Sequence, residues 1–319
     1  MSQETPKVLY IAGWGRSGTT LLDNLLGQLY GFFSAGELRY LWERGLIEER
    51  LCGCGRPVSE CPVWSKVLAK LGGIAGEAAG VVNLQEREAR VRHTPRLLRR
   101  ELRPSGGDLA RYLDITLRLY RAVREVTGAR VIVDSSKRPP DGAVLRLLGE
   151  VDAYFVHMVR DPRAVAYSWR RPKELKDRSR RQYMRSHRPW ASTAQWIGWN
   201  LAISALRRRH GPMRTMLLRY EDFIARPAET VAAIAELVGE QPSSLPFEDP
   251  STAVLEGNHT VSGNPSRFET GRIRLRIDDE WVKRQPLRDR LIVTALTAPL
   301  LGRYGYPIRV TRAWEGERR

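Results

Sequence analysis

Nowhere in the 319 residues do eighteen apolar residues run together, which argues against a membrane-spanning helix. The first seven residues are polar and lack the basic-then-apolar order of a secretory leader, so a cytoplasmic location is the expectation. Lysine is scarce, seven among 53 basic residues. The formal charge of +17 is therefore almost wholly arginine, a bias that a GC-rich coding sequence produces by itself. That charge is compatible with an anionic ligand without requiring one. Cysteine is scarcer still, at three, and all three fall between Leu51 and Pro62 as Cys52, Cys54 and Cys61. Three thiols cannot pair evenly, and zinc would need a fourth ligand at a spacing tighter than the usual C-x2-C. Packed thiols, a local disulfide and a structural zinc all stay open, packed thiols being the plainest.

One lysine is missing where it matters most. Val8 to Ala12 is an apolar run of strand length, and Gly13-Trp-Gly-Arg-Ser-Gly18 then leads into leucines at helical spacing from Leu21. This reads as strand, anion-binding loop and helix, with backbone N–H groups and the helix N-terminus aimed at one point. The spacing Gly13-x4-Gly18 is that of a nucleoside-triphosphate loop, whose next residue would be lysine, but the chain has Thr19. That lysine, together with magnesium, neutralises the β- and γ-phosphates, so a different anionic nucleotide is indicated.

The unit repeats along the chain. Strands are predicted over Ala129–Asp134, Ala153–Val159 and Thr215–Arg219, with polar loops opening helices at about Asp141, Pro162 and Ala228. Alternating strands and helices give an α/β fold of three layers around a central parallel sheet, with sites at the carboxyl ends of the strands. A helix is expected from about Glu37, a helical insertion over about 63–127, and an exposed, mobile basic loop over about 170–189. A tryptophan-rich helix follows. The last third shows little pattern before Leu287–Leu301, apart from a Gly/Asn-rich loop at 258–268. The whole chain, 1–319, reads as one domain.

Arg16, Lys137 and Arg160 thus stand at successive strand ends, with Ser168 two helical turns beyond Arg160 on the same face. Two separated anion sites suit a nucleotide carrying both a 5′-diphosphate-like group and a 3′-phosphate. Here the chain resembles the sulfotransferases that use 3′-phosphoadenosine 5′-phosphosulfate (PAPS). Arg16-Ser17-Gly18-Thr19-Thr20 matches their 5′-phosphosulfate loop, and Arg160-Asp161-x-Arg163 with Ser168 matches their 3′-phosphate motif. Tyr220 and the loop carrying Ser262 and Arg267 are similar to their later nucleotide contacts.

The resemblance implies a P-loop NTPase-like topology and a nucleotide-binding transferase that needs no metal. Such an enzyme moves the sulfuryl group of PAPS to a hydroxyl or amine and leaves 3′-phosphoadenosine 5′-phosphate. Protein-tyrosine sulfotransferases place a catalytic Glu in a segment like Gly36-Glu37-Leu38-Arg39, which makes Glu37 the implied base and Arg39 the substrate-orienting residue. Lys137 and Arg16, with Ser262, would steady the leaving phosphate. His93 and His259 are the alternative bases, since the small-molecule branch uses His. The implied partner is a small-molecule, carbohydrate or lipid acceptor, with no nucleic acid and no stable membrane insertion; oligomeric state stays open. A P-loop phosphotransferase would instead need an acidic magnesium ligand, for which Asp134 is the candidate. A basic nucleic-acid-binding module would need the charge and the tryptophans but not the Gly13 loop.

Overall fold

The computed structural model describes residues 5–178, 182–184 and 186–309. Five parallel strands form its central sheet: β1 (Lys7–Ala12), β2 (Phe32–Gly36), β3 (Val131–Lys137), β4 (Asp152–Val159) and β5 (Thr215–Arg219). Their spatial order is β2-β3-β1-β4-β5. From β1 the chain passes to β2 at one edge, returns to β3 between β2 and β1, and then crosses to β4 on the other side of β1. A crevice therefore opens at the carboxyl ends of β1 and β4, where ligands of open α/β sheets bind.

Within β1 every residue from Val8 is buried, yet the period of two persists. Leu9 and Ile11 face one layer with Leu22 and Leu25 of α1 (Thr19–Leu26) and Val231 and Ile234 of the helix Pro227–Leu237. Val8 and Tyr10 face the other, with α2 (Gly107–Thr127) and α3 (Pro139–Leu147). Helices on both faces make the three layers expected. The insertion is helical as predicted, with Trp64–Leu71, Ala78–Glu88 and Thr94–Arg99 ahead of α2.

Three segments differ from the sequence reading. Glu37 does not begin a regular helix: it directly follows β2 and leads into a 3-10 turn (Leu38–Tyr40) and a π-helical stretch (Leu41–Ile47). The basic segment holds a short hairpin, Glu174–Leu175 against Gln182–Tyr183. It is also less exposed than expected: Asp177 is buried and ion-paired with Arg50 and Arg267, and residues 179–181 and 185 lie outside the described residues. The last third carries a three-stranded antiparallel sheet (Phe247–Asp249, Thr252–Leu255 and Gly271–Arg274), with strands too short for a periodic signal. Among the described residues no helix is long and apolar enough to cross a membrane.

Candidate active site

The turn after β1 is built by contacts that leave no room for side chains. A Cβ on Gly13 would lie 2.5 Å from the Met158 carbonyl oxygen of β4, and Gly18, at φ 87°, would meet the Tyr220 ring at 2.6 Å. Arg16 itself takes a left-handed φ of 71°, a conformation a non-glycine residue holds only under constraint. Its guanidinium lies over the Trp169 ring, 5.0 Å from the centroid. Among the described residues no carboxylate is within ion-pair range of Arg16, and its Nε has no hydrogen-bond partner. Burial, with Arg171 and Arg160 nearby, pulls its pKa down to about 10. Ser17 is fully buried and its hydroxyl also lacks a partner. Buried polar groups are normally satisfied, so orphans converging on one loop mark a place shaped for a polar ligand.

The second anchor is the end of β3. Lys137 also sits at φ 71°, and its carbonyl accepts from the Gly13 N–H at 3.3 Å, which ties the two loops together. Its ammonium pairs with Glu37 Oε1, while Arg44 Nη1 lies 3.3 Å from Glu37 Oε2 and donates to the Ser262 hydroxyl at 2.9 Å. The Glu37 N–H donates to the Ser262 carbonyl at 3.3 Å. Burial pushes the Glu37 carboxyl up, but Lys137 and Arg44 outweigh it and hold the group below the usual carboxylate range. Glu37 is a carboxylate at neutral pH, able to accept a proton once a cation moves off it.

The third anchor is the end of β4. Arg160 is buried and, unlike Arg16, well partnered: it donates to the carbonyls of Arg16 and Asp278 at 3.1 and 3.0 Å and lies 3.2 Å from the Asp278 carboxylate. Tyr220 lies under its guanidinium at 4.3 Å. Asp161 caps α4 (Pro162–Arg170) by accepting from the Arg163 N–H, which sets Ser168 toward the same crevice.

These anchors surround one cavity of about 1000 Å³. Arg16, Gly18, Thr19, Thr20, Glu37, Lys137, Arg160, Ser168 and Tyr220 line it. Among the described residues eight arginine and lysine side chains and two acids, Glu37 and Asp278, line it. One wall is aromatic: Trp14 packs edge-on to Trp199 at 4.8 Å, and Trp169 edge-on to His187 at 4.7 Å. The cavity is thus both cationic and aromatic, at the upper end of the volume range for a single small-ligand site.

The remaining sequence-predicted residues lie elsewhere. Arg39 is buried beside a second, small cavity and pairs with Asp141 and Glu86. Arg267 is 1% exposed and spends its guanidinium on the carbonyls of Thr260 and Leu51. Ser17 and Ser262 are buried just behind the cavity wall. His93 sits on the insertion. His259 turns toward Cys61, with its Nδ1 3.2 Å from the sulfur. Asp134 is held by Tyr120 and Ser136, and is not among the residues lining the large cavity. Sequence reasoning missed Arg44, Asp278 and Trp169 as cavity residues. Trp169, directly after Ser168, was the one with a usable signal.

A model of the sulfotransferase family matches residues 7–243. Among solved structures, the sulfotransferase domain from the curacin biosynthetic pathway aligns over 95% of this chain and 99% of that one, at 16% identity and a TM-score of 0.51. The sulfotransferase domain from the Synechococcus PCC 7002 olefin synthase aligns over 94% and 96%, at 18% identity and a TM-score of 0.49. No curated protein matches the sequence. At 16% identity the likeness to the curacin-pathway domain speaks for the fold alone.

Proposed function

The chain belongs to the sulfotransferase family, and on that premise we propose that it transfers the sulfuryl group of PAPS to a hydroxyl or amine of a small-molecule, carbohydrate or lipid acceptor. The observation that carries this reading is the cavity at the strand ends, where among the described residues eight cations stand against two acids and Arg16 has no acidic partner. The donor set suits the nucleotide: Arg16, Lys137 and the amides of the Gly18–Thr20 turn for the 5′ anion, Arg160 and Ser168 for the 3′-phosphate. When bound, PAPS supplies an activated sulfuryl group, and a cavity of this size leaves room for the acceptor beside it.

The chain's own residues then divide the work. Arg16 and Lys137 hold negative charge at the end of β1 and β3, in a partly buried site where such contacts are strong. An anion there competes with Glu37 for Lys137 and frees the Glu37 Oε1. That oxygen takes the acceptor's proton, a contribution of about 10²–10⁴-fold in turnover. Trp169 and Trp199 form a face for planar groups and exclude water beside the cations. A magnesium-dependent phosphotransferase is the weaker reading, because Thr19 replaces the phosphate lysine and both Asp134 oxygens are already hydrogen-bonded.

Incubation with 35S-labelled PAPS and a panel of phenols, sugars and lipid headgroups tests the proposal. Label should move to at least one acceptor without added magnesium. Magnesium-dependent hydrolysis of ATP with no binding of 3′-phosphorylated nucleotides would overturn it.

A further inference from the structure

The three cysteines of the chain meet a ligand that lies far away in sequence. Cys61 and His259 are 198 residues apart, yet the His259 Nδ1 is 3.2 Å from the Cys61 sulfur and 4.0 Å from that of Cys52. The Cys52 and Cys61 sulfurs are 3.6 Å apart, and with Cys54 the four candidate ligand atoms all lie within 4.8 Å of one another. A disulfide needs about 2.05 Å between sulfurs, and all three thiols are free. For zinc bonds of about 2.3 Å to sulfur and 2.0–2.1 Å to nitrogen, the edges of a tetrahedron are roughly 3.8 Å between sulfurs and 3.6 Å from sulfur to nitrogen. The observed separations bracket those edges.

The surroundings are built around the cluster. A Cβ on Gly53, between the first two cysteines, would fall 1.9 Å from Asn258 Oδ1, so only glycine lets the two loops meet. The Gly53 N–H donates to the Thr260 carbonyl at 2.9 Å, and the Gly55 N–H to the Cys52 carbonyl at 2.9 Å, which closes a tight knuckle. Trp64 Nε1 donates to the His259 carbonyl at 2.5 Å. Arg267 bridges the ligand loops from behind, donating to the carbonyls of Leu51 at 2.6 Å and Thr260 at 2.7 Å. Three thiolates, a neutral imidazole and Zn²⁺ carry one net negative charge, and this buried guanidinium is placed to offset it.

We propose that Cys52, Cys54, Cys61 and His259 form a closed, four-coordinate structural zinc site that staples the 51–61 loop to the 258–268 loop. Binding displaces the three thiol protons and changes no oxidation state. With four protein ligands no position is left for water or substrate, which separates the site from zinc catalysis. Its effect on the cavity is positional. Immediately after His259, the Val261 N–H bonds the Ala35 carbonyl at 3.0 Å, the Ser262 carbonyl accepts from Glu37, and the Asn264 N–H bonds the Thr20 hydroxyl at 3.3 Å. The ion would clamp the segment that backs both Glu37 and the anion loop.

The test is metal analysis of the full-length chain, purified under reducing conditions in zinc-supplemented medium, by elemental and native mass spectrometry. One zinc per chain is expected. Replacement by cobalt(II) should give thiolate-to-cobalt charge-transfer bands and tetrahedral d–d bands. Cys54 is the most exposed of the thiols, so Cys54→Ser is the variant least prone to misfold; it and His259→Ala should each weaken zinc retention at least tenfold against a chelator and lower the unfolding temperature in zinc. Metal-free protein from supplemented medium, a Cys52–Cys61 disulfide seen as the loss of two hydrogens, or both variants holding zinc as the parent does would overturn the proposal.

Discussion

Replacing Arg16 by methionine should stabilise the free protein and weaken its hold on nucleotide. Among the described residues Arg16 is a mostly buried cation with no acidic partner, and burial, with Arg171 and Arg160 nearby, pulls its pKa down from the ordinary arginine value to about 10. A folded-state pKa below the unfolded value means that folding disfavours the charged form. The cost is carried in full below pH 10 and relieved only as pH rises from about 10 toward the ordinary arginine value. At about 1.4 kcal/mol for each tenfold change in proton affinity, the cost at neutral pH is ~3 kcal/mol. Methionine keeps an apolar stem against Trp169 and occupies the same strained backbone, but it forfeits the stacking of the cation on that ring, about 0.5–1 kcal/mol. The net gain of ~2 kcal/mol corresponds to a rise in unfolding temperature of about 3 °C for a chain of this size. Charge-assisted hydrogen bonds are each worth about 1.5–3 kcal/mol, so affinity for 3′-phosphoadenosine 5′-phosphate should drop about 10- to 100-fold. Thermal unfolding and titration calorimetry in the same buffer read both quantities. A destabilised variant, or one with unchanged affinity, would refute the view that the Gly13–Thr20 loop stores unfavourable charge for its ligand.

Glu37→Gln should reduce turnover by about 10²–10⁴-fold while leaving nucleotide binding intact or stronger, since Lys137 and Arg44 lose their competing carboxylate. Because those two cations hold the Glu37 carboxyl low in the free protein, kcat/KM of the parent enzyme should show no acid limb from this group between pH 6 and 8; a limb that the Gln variant abolishes would reject the assignment. Asp23 is fully buried between the hydroxyls of Ser34 and Ser135, and burial pushes its carboxyl up to about 7. The folded state therefore binds this proton more tightly than the unfolded one, and stability is lost as pH rises from about 4 through 7. Asp23→Asn should gain on the parent by a few kcal/mol in denaturant unfolding between pH 4 and pH 8, and a pH-independent difference would count against it.

What could be read from the sequence was what short stretches encode. Val8 to Thr20 announces its strand, turn and helix through local composition, and Arg160-Asp-Pro-Arg163 carries its own N-cap, so the turns after β1 and β4 are both legible. Glu37 was reached through likeness rather than periodicity, and the π-helical stretch after it, which swings Arg44 back to Glu37, had no readable signal. Asp278 reaches Arg160 across 118 residues, and His259 reaches the cysteines across 198, through loops whose sequences say nothing of their neighbours. Arg267 was expected at the nucleotide because of where it falls in a motif. Its side chain is instead buried against two carbonyls, a preference that only the packed loops reveal.

Whether this cavity takes a nucleotide by two separate anions, as proposed above, is read by calorimetry of the purified chain without knowledge of the acceptor. Titrations of 3′-phosphoadenosine 5′-phosphate and of adenosine 5′-phosphate should differ at least tenfold in affinity, and Arg160→Ala should erase most of that difference while leaving the weaker ligand nearly unchanged. Equal affinities in the parent chain, or a preference that survives loss of Arg160, would contradict the account.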